Sequence, residues 1–176
     1  MMPESIIARA RDIRLLLLDV DGVLTDGGLY LDDHGTPMKR FNVKDGQGLK
    51  LIMQFGIEVG IITKKQSNIV ALRMQELGIK HVFQNQHDKL ATTEQLLKQL
   101  QLDYAQTAYV GDDLPDLPVM QRVRLPITVA DGHQTVQDHA IWCTNQPGGH
   151  GAVREVCDGL LKAQDVWQQS LEPFIR

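Results

Sequence analysis

Four consecutive leucines, Leu15 to Leu18, are followed directly by Asp19, and Asp21 comes two residues later. A run that is apolar at every position predicts a strand buried on both faces, as in a parallel sheet with helices on each side. A carboxylate at the buried end of such a strand is costly unless an opposite charge compensates it. We therefore expect a cationic partner for these two aspartates.

Short apolar runs alternate along the chain with segments whose apolar residues recur every three or four positions. The runs that predict strands are 13–19, 58–64, 81–85, 106–112 and 125–131, and the clearest helical patterns are 67–77 and 88–100. This alternation predicts an α/β fold, a doubly wound, Rossmann-like three-layer sandwich with a parallel central sheet. We expect one domain over residues 1–176, with a C-terminal helix and tail from about 150 to 176.

One segment, from about 27 to 43, interrupts the alternation. Two pieces with alternating apolar residues flank a turn at residues 33–35, which predicts a β-hairpin outside the main sheet. Because no sheet face is available to them, its apolar side chains should meet a partner such as another subunit. These side chains are Leu29, Leu31, Met38 and Phe41.

Composition and charge argue against nucleic acid and membranes as partners. The 18 basic and 22 acidic residues give a net charge of −4, which does not favour nucleic acid or an anionic membrane. No apolar run approaches the roughly 20 residues of a membrane span, and the amino terminus lacks the apolar core of a signal peptide. We expect a cytoplasmic protein in which Cys143 and Cys157 are reduced. The six histidines show no zinc-binding pattern with these cysteines.

Polar residues follow several predicted strands where they end, which is the edge at which such sheets bind ligands. Asp19 and Asp21 follow the first strand, Thr63 the second and Asp112 the fourth, while Lys89 comes soon after the third. Carboxylates suit Mg²⁺, and a hydroxyl and an ammonium group suit the oxygens of a phosphoryl group. The pattern predicts magnesium-dependent phosphoryl transfer, with the metal held by Asp19, Asp112 and the backbone carbonyl of Asp21.

The segment DVDGVLTDG, residues 19–27, resembles the first motif of the haloacid dehalogenase superfamily of phosphohydrolases. Thr63, Lys89 and the segment GDDLPD, residues 111–116, resemble the second, third and fourth motifs, in order. The resemblance implies that Asp19 is a nucleophile that forms an aspartyl-phosphate and that Asp21 is the general acid and base. It also implies that Thr63 holds phosphoryl oxygens and that Lys89 offsets negative charge.

Further segments narrow the resemblance: FNVKDGQGLK at 41–50, VADGH at 129–133 and PGGHGAVREVCDGLLKAQ at 147–164. They are similar to a capless branch of the superfamily that removes phosphate from 3-deoxy-D-manno-octulosonate 8-phosphate in the synthesis of the lipopolysaccharide inner core. This resemblance implies a small sugar phosphate as substrate. It also implies a homotetramer in which hairpins meet and a neighbour's glycine-rich tail, residues 148–151, reaches the site.

The same resemblance implies a pocket lined by the loop that leads into the next helix, whose free N–H groups suit an anion. Cationic side chains near the strand ends would complete it. The predicted substrate-binding residues are Asp21, Asn42, Val43, Lys44, Asp45, Gly46, Lys50, Lys65, Arg73 and Lys89. Asp113 and Asp116 are supporting residues that either lie behind the metal ligands or cap the following helix.

Two differences from this branch leave the identity of the sugar phosphate open. The branch has Thr-Gly-Arg after the second strand where this chain has Thr63, Lys64 and Lys65, and His150 stands where Arg or Lys is expected. A related nonulosonate or another small sugar phosphate is therefore an alternative substrate, and a non-catalytic sugar-phosphate-binding regulator is another alternative. A signalling receiver domain is disfavoured, because its acidic pair is adjacent whereas Val20 separates Asp19 from Asp21.

Overall fold

The central sheet has six parallel strands in the computed structural model of the chain, which describes residues 3–175. The strands are β1 Leu15–Leu18, β2 Tyr30–Leu31, β3 Pro37–Met38, β4 Glu58–Ile62, β5 His81–Phe83, β6 Thr107–Gly111, β7 Leu125–Thr128 and β8 Trp142–Cys143. The sheet order is β5-β4-β1-β6-β7-β8, so β1 is central, and β2 and β3 form a separate antiparallel pair.

Helices cover both faces of this sheet. They are α1 Glu4–Ala10, α2 Val43–Gln54, α3 Asn68–Leu77, α4 Lys89–Leu100, α5 Leu117–Met120, α6 Gln134–His139, α7 Ala152–Ala163 and α8 Trp167–Leu171. This architecture confirms the predicted doubly wound α/β fold. The predicted domain also includes Met1, Met2 and Arg176, which lie outside the described residues.

The leucines of β1 explain the three layers. Leu16 and Leu18 belong to the apolar core under α1, α2, α3 and α7, whereas Leu15 and Leu17 belong to the core under α4, α5 and α6. All four are fully buried. The strand is therefore held from both sides, and its carboxyl end has a fixed position.

Local signals set the bounds of the two predicted helices. Asp88 precedes α4, and its side chain accepts a hydrogen bond from the N–H of Ala91. The helix α3 ends at Leu77, and the next residue, Gly78, has a left-handed conformation that suits glycine. The sixth strand, β8, was not among the predicted strands, because two residues are too few to show a periodicity.

The predicted hairpin is present as β2 and β3, with Tyr30 opposite Met38. Leu29, Leu31 and Met38 are largely exposed, as expected from the sequence. The expectation for Phe41 was wrong: it forms a bridge with Thr25 and packs against the core under α1 and α2. No helix within residues 3–175 has the length and apolar character that crossing a membrane requires.

Candidate active site

Asp19 leaves β1 at the carboxyl edge of the sheet, and its carboxylate is held by two donors. Oδ1 accepts a hydrogen bond from the N–H of Val20 at 2.7 Å, and Oδ2 lies 3.0 Å from the ammonium nitrogen of Lys89. The chain then turns at Gly22, whose φ of 89° is rare for a residue with a side chain. A Cβ at Gly22 would also collide with the carboxylate of Asp112. The turn therefore brings the Asp19 loop against the end of β6.

Lys89 is the cationic partner that the sequence leads us to expect. It is the first residue of α4, is almost fully buried, and bridges Asp19 to Asp116, whose Oδ1 is 2.7 Å away. Burial lowers the pKa of the lysine, but the two carboxylates outweigh burial and raise that pKa above its ordinary value. The side chain therefore carries a positive charge inside the protein.

Asp116 has every acceptor position filled by protein donors. Its Oδ1 accepts from Lys89 and from the hydroxyl of Tyr109, each at 2.7 Å. Its Oδ2 accepts from the backbone N–H groups of Asp112 and Asp113, at 3.0 and 3.2 Å. Both of the roles predicted for Asp116 are seen, since it lies behind Asp112 and, with Asp113, forms a capping box at the next turn.

A cation fits between Asp19 and Asp112. Carboxylate oxygens of Asp19, Asp112 and Asp116 lie within 4.8 Å of one another, but those of Asp116 are already occupied. The buried Oδ1 of Asp112 has no hydrogen-bond partner, which is the condition of an oxygen that awaits a ligand. Hard oxygen donors of this kind suit Mg²⁺.

The pKa values of Asp19 and Asp112 also indicate a cation site between them. Burial and the nearby charges of Asp116 and Asp19 raise the pKa of Asp112 to about 8. Burial raises the pKa of Asp19 to about 6, although Lys89 opposes the rise. Burial and the neighbouring carboxylates thus disfavour the charged form of Asp112, and a bound divalent cation would remove that penalty.

Two lysines lie beside Asp21. The ammonium group of Lys39, a largely buried side chain directly after β3, pairs with Oδ1, and that of Lys65 lies 3.8 Å from Oδ2. Lys65 is a predicted site residue, but Lys39 is not. Nothing in the local pattern around Lys39 marks it, because the hairpin brings it back to Asp21 only in three dimensions.

Thr63 lies where it was expected. The pairing of β1 with β4 places Leu18 opposite Ile61, so Thr63 leaves β4 at the same edge as Asp19 leaves β1. Thr63 is buried, and its backbone is held by hydrogen bonds from its N–H to Phe83 and from the N–H of Gln86 to its carbonyl. Its position beside the first strand is therefore well defined.

The predicted substrate-binding residues of α2 do not all face the same way. Val43 and Lys44 are exposed at the start of the helix, and Asn42 caps it by accepting from the N–H of Lys44. Asp45 is buried and accepts from the N–H of Arg154, so it caps α7 instead of lining an open pocket. Lys50 lines a cavity with Glu58, at the amino end of β4 and opposite the edge that carries Asp19.

Gly46 and Arg73 contact each other where α2 meets α3. The guanidinium of Arg73 lies against the backbone of Gly46, and a side chain at this position would have to displace it. The same group pairs with Glu76 at 2.7 Å on its own helix. The structure thus links the predicted Arg73 to the start of α2.

The glycine-rich segment packs against its own chain. Gly149 donates its N–H to the carbonyl of Val23 at 3.0 Å, and Gly148 lies so close to Gly22 that a Cβ would collide with its carbonyl. The side chain of His150 is exposed, and its Nε2 lies 3.1 Å from Arg40. Gly148 and Gly149 therefore support the loop that carries Asp19 and Asp21, and His150 is left facing outward.

Comparison with known proteins agrees with this geometry. The family model of haloacid dehalogenase-like hydrolases matches residues 50–155. The chain is 46% identical to the 3-deoxy-D-manno-octulosonate 8-phosphate phosphatase KdsC of Yersinia pestis, over 92% of this chain and 87% of that protein. It is 48% identical to the KdsC of Escherichia coli K12, over 91% of this chain and 85% of that protein.

A solved structure with the same fold carries ligands. It is the 3-deoxy-D-manno-octulosonate 8-phosphate phosphatase of Moraxella catarrhalis in complex with a magnesium ion, a phosphate ion and a KDO molecule. The TM-score is 0.95 at 40% identity, over 98% of this chain and 99% of that one. The strand-end residues described above therefore lie in a fold that binds magnesium and phosphate in another protein.

The raised pKa of Asp112 predicts how metal-free stability depends on pH. The ionised carboxylate is disfavoured in the folded state, so stability should fall as pH rises from about 4 towards about 8. Mg²⁺ should restore it, most strongly at pH 8. Asp112→Asn should raise the metal-free melting temperature at pH 8 by a few degrees and abolish the stabilisation by Mg²⁺.

Thermal melts with and without Mg²⁺ at pH 6 and pH 8 measure this effect. Asp33→Asn is the control, because Asp33 is an exposed aspartate in the hairpin turn and should leave both melting temperatures unchanged. An Asp112→Asn protein that Mg²⁺ still stabilises as it does the wild type would contradict the assignment of Asp112.

Proposed function

We propose, because the chain belongs to the haloacid dehalogenase-like hydrolases, that it is a magnesium-dependent phosphatase that hydrolyses 3-deoxy-D-manno-octulosonate 8-phosphate to the free sugar acid and inorganic phosphate. The proposal rests on the carboxylate of Asp19, which Lys89 holds beside the oxygen of Asp112 that has no hydrogen-bond partner. It also rests on sequence identities of 46% and 48% to two such phosphatases. The reaction belongs to the synthesis of the lipopolysaccharide inner core.

Asp19 is the nucleophile in the proposed reaction. One of its carboxylate oxygens forms a bond to phosphorus as the bond from phosphorus to the sugar oxygen breaks, which leaves an aspartyl-phosphate. The hydrogen bond from Val20 and the ion pair with Lys89 fix the orientation of the carboxylate before the substrate arrives. Water then attacks phosphorus, which releases phosphate and restores Asp19.

Asp21 moves the protons of both steps. It gives its proton to the departing sugar oxygen and then takes one from the attacking water. The hydroxyl of Thr63 and the N–H of Asp21 donate to the phosphoryl oxygens, and Lys89 offsets their charge. Asp19, Asp112 and the carbonyl of Asp21 would hold Mg²⁺, which when bound supplies further positive charge next to the phosphoryl group.

The substrate pocket in this proposal is the open region beside the start of α2. Asn42, Val43 and Lys44 border it, and Lys65 lies beside Asp21. The guanidinium of Arg73 lies against Gly46, near the start of α2. Asp45 and Lys50 do not face this region, so neither is proposed to contact the substrate.

A nonulosonate phosphate is the second candidate substrate. Lys64 and Lys65 replace the Gly-Arg pair of the octulosonate branch, and a lysine ammonium does not reproduce the bidentate contacts of an arginine. His150 likewise replaces a residue of fixed positive charge. Because of these differences, the phosphates of both sugar acids need to be compared as substrates.

The proposal predicts Mg²⁺-dependent turnover that Asp19→Asn abolishes. Phosphate release should be fastest with 3-deoxy-D-manno-octulosonate 8-phosphate in a screen that includes nonulosonate and hexose phosphates and an aryl phosphate. Asp19→Asn should lower kcat by at least about 10³-fold, because the attacking carboxylate is replaced by a poor nucleophile. Faster hydrolysis of a nonulosonate phosphate would make that compound the substrate in place of the octulosonate phosphate. Normal turnover by Asp19→Asn, or by the wild type after complete chelation of metal, would overturn the mechanism.

Lys39 is proposed to hold the carboxylate of Asp21 where it can reach the leaving group. Lys39→Met should lower kcat by about tenfold, a part of the 10²- to 10⁴-fold that a general acid and base contributes. Steady-state kinetics measures this, with Lys80→Met as the control because Lys80 is exposed at the other end of the sheet. An unchanged kcat for Lys39→Met would remove Lys39 from the mechanism.

We further propose a cytoplasmic homotetramer, in which hairpins meet and a neighbour's His150 reaches the open site. The exposed leucines of the hairpin support the assembly, since Leu29 and Leu31 are 76% and 62% exposed. The two free thiols, Cys143 and Cys157, are consistent with a reducing compartment.

Leu31→Asp should dissociate the tetramer and lower activity, because it places a charge in the apolar contact between hairpins. Sedimentation velocity measures the assembly. Leu72→Asp is the matched control, since Leu72 is 58% exposed on α3, and it should leave the assembly intact. A wild-type protein that sediments as an active monomer would contradict the proposed assembly.

A further inference from the structure

Tyr109 is a buried tyrosine whose hydroxyl faces the site from beneath. It lies in β6 opposite Leu17 of β1, and its ring packs in the apolar core under α4, α5 and α6. The side chain is fully buried, so it cannot touch a substrate. Its hydroxyl is 2.7 Å from Oδ1 of Asp116, to which it donates a hydrogen bond.

The same oxygen of Asp116 accepts from the ammonium of Lys89 at 2.7 Å, and that ammonium lies 3.0 Å from Asp19. Four groups therefore form one chain of contacts, from the buried Tyr109, Asp116 and Lys89 to Asp19 at the open site. Lys89 is shared between two carboxylates, and its position depends on how strongly each attracts it. The hydroxyl of Tyr109 takes up part of the charge of Asp116 and fixes the orientation of that carboxylate.

We propose that Tyr109 is a positioning residue for phosphoryl transfer, which acts through Asp116 to keep the ammonium of Lys89 on the nucleophile Asp19. The proposal rests on the proposed function only in taking Asp19 as the nucleophile. It assigns a task to a side chain that is outside the four motifs and that never contacts the reacting atoms. A tyrosine of β6 with a purely structural role would need no hydroxyl in this apolar core.

Loss of the hydroxyl should act on the chemical step. In Tyr109→Phe the ring contacts remain, but Oδ1 of Asp116 keeps only Lys89 as its donor, so the carboxylate draws the ammonium away from Asp19. A displaced ammonium stabilises the transition-state charge less well. Substrate binding should be unaffected, because Tyr109 does not reach the open site.

Steady-state kinetics with an aryl phosphate and Mg²⁺ tests the proposal. Tyr109→Phe should lower kcat by about tenfold and leave KM within about twofold, the pattern expected when an interaction of the transition state is lost. Thr93→Val is the matched control. Thr93 is also fully buried, and its hydroxyl donates to the backbone carbonyl of Lys89, not to a group that contacts the ammonium.

A double-mutant cycle identifies the route through Asp116. Tyr109→Phe should lower kcat much less in an Asp116→Asn background than in the wild type, because the group that the hydroxyl holds has been changed. Equal effects in both backgrounds would contradict the route through Asp116. A kcat within twofold of the wild type, an effect confined to KM, or an equal loss in Thr93→Val would each overturn the proposal.

If Tyr109→Phe does not fold, ¹⁹F NMR on a protein that keeps Tyr109 tests the proposal instead. The protein has three tyrosines, and fluorotyrosine labelling gives each a ¹⁹F resonance that Tyr30→Phe and Tyr104→Phe assign by elimination. The resonance of Tyr109 should shift when Mg²⁺ and beryllium fluoride occupy Asp19, and an unshifted resonance would contradict the coupling.

Because the kinetic test uses an aryl phosphate, its outcome does not depend on which sugar phosphate is the substrate. A wild type that hydrolyses the aryl phosphate but no sugar acid phosphate would refute only the proposed substrate.

Discussion

The buried ammonium of Lys89 is the interaction on which the other charges of the site depend. It lies between Asp19, which is partly exposed, and Asp116, which is buried, and these two carboxylates would otherwise repel each other. Asp116 has no free acceptor left, and through the N–H groups of Asp112 and Asp113 it also fixes the loop that carries the second acidic group. One lysine thus sets the position of two carboxylates, one directly after β1 and one in the turn that follows β6.

The position of that lysine follows from the fold. Lys89 is the first residue of α4, whose cap at Asp88 fixes where the helix begins, and β1 is fixed because its leucines are buried in both cores. The distance from Lys89 to Asp19 is therefore determined by packing on both sides of the sheet. A cation placed by packing stays in place when the substrate or a metal ion changes the local charge.

Much of the site could be predicted from the sequence because it lies at strand ends. The leucine run indicated where Asp19 leaves the sheet, and the order of Thr63, Lys89 and Asp112 led to the family that the comparisons confirm. Contacts made by returning loops could not be predicted. Lys39 reaches Asp21 only because the hairpin folds back, and Asp45 faces α7 because α2 and α7 pack together, which no periodicity of α2 indicates.

The glycine-rich segment has a role within one chain that the resemblance did not suggest. Gly148 and Gly149 pack on Gly22 and Thr25, and such close contact of two backbones requires that neither has a side chain in the way. The hydroxyl of Thr25 holds the same turn through the N–H groups of Gly22 and Gly27. No lid domain is inserted within residues 3–175, and the turn after Asp21 is instead held from beneath by the glycine-rich segment of the same chain. In the proposed tetramer, a neighbouring subunit would need to add only side chains.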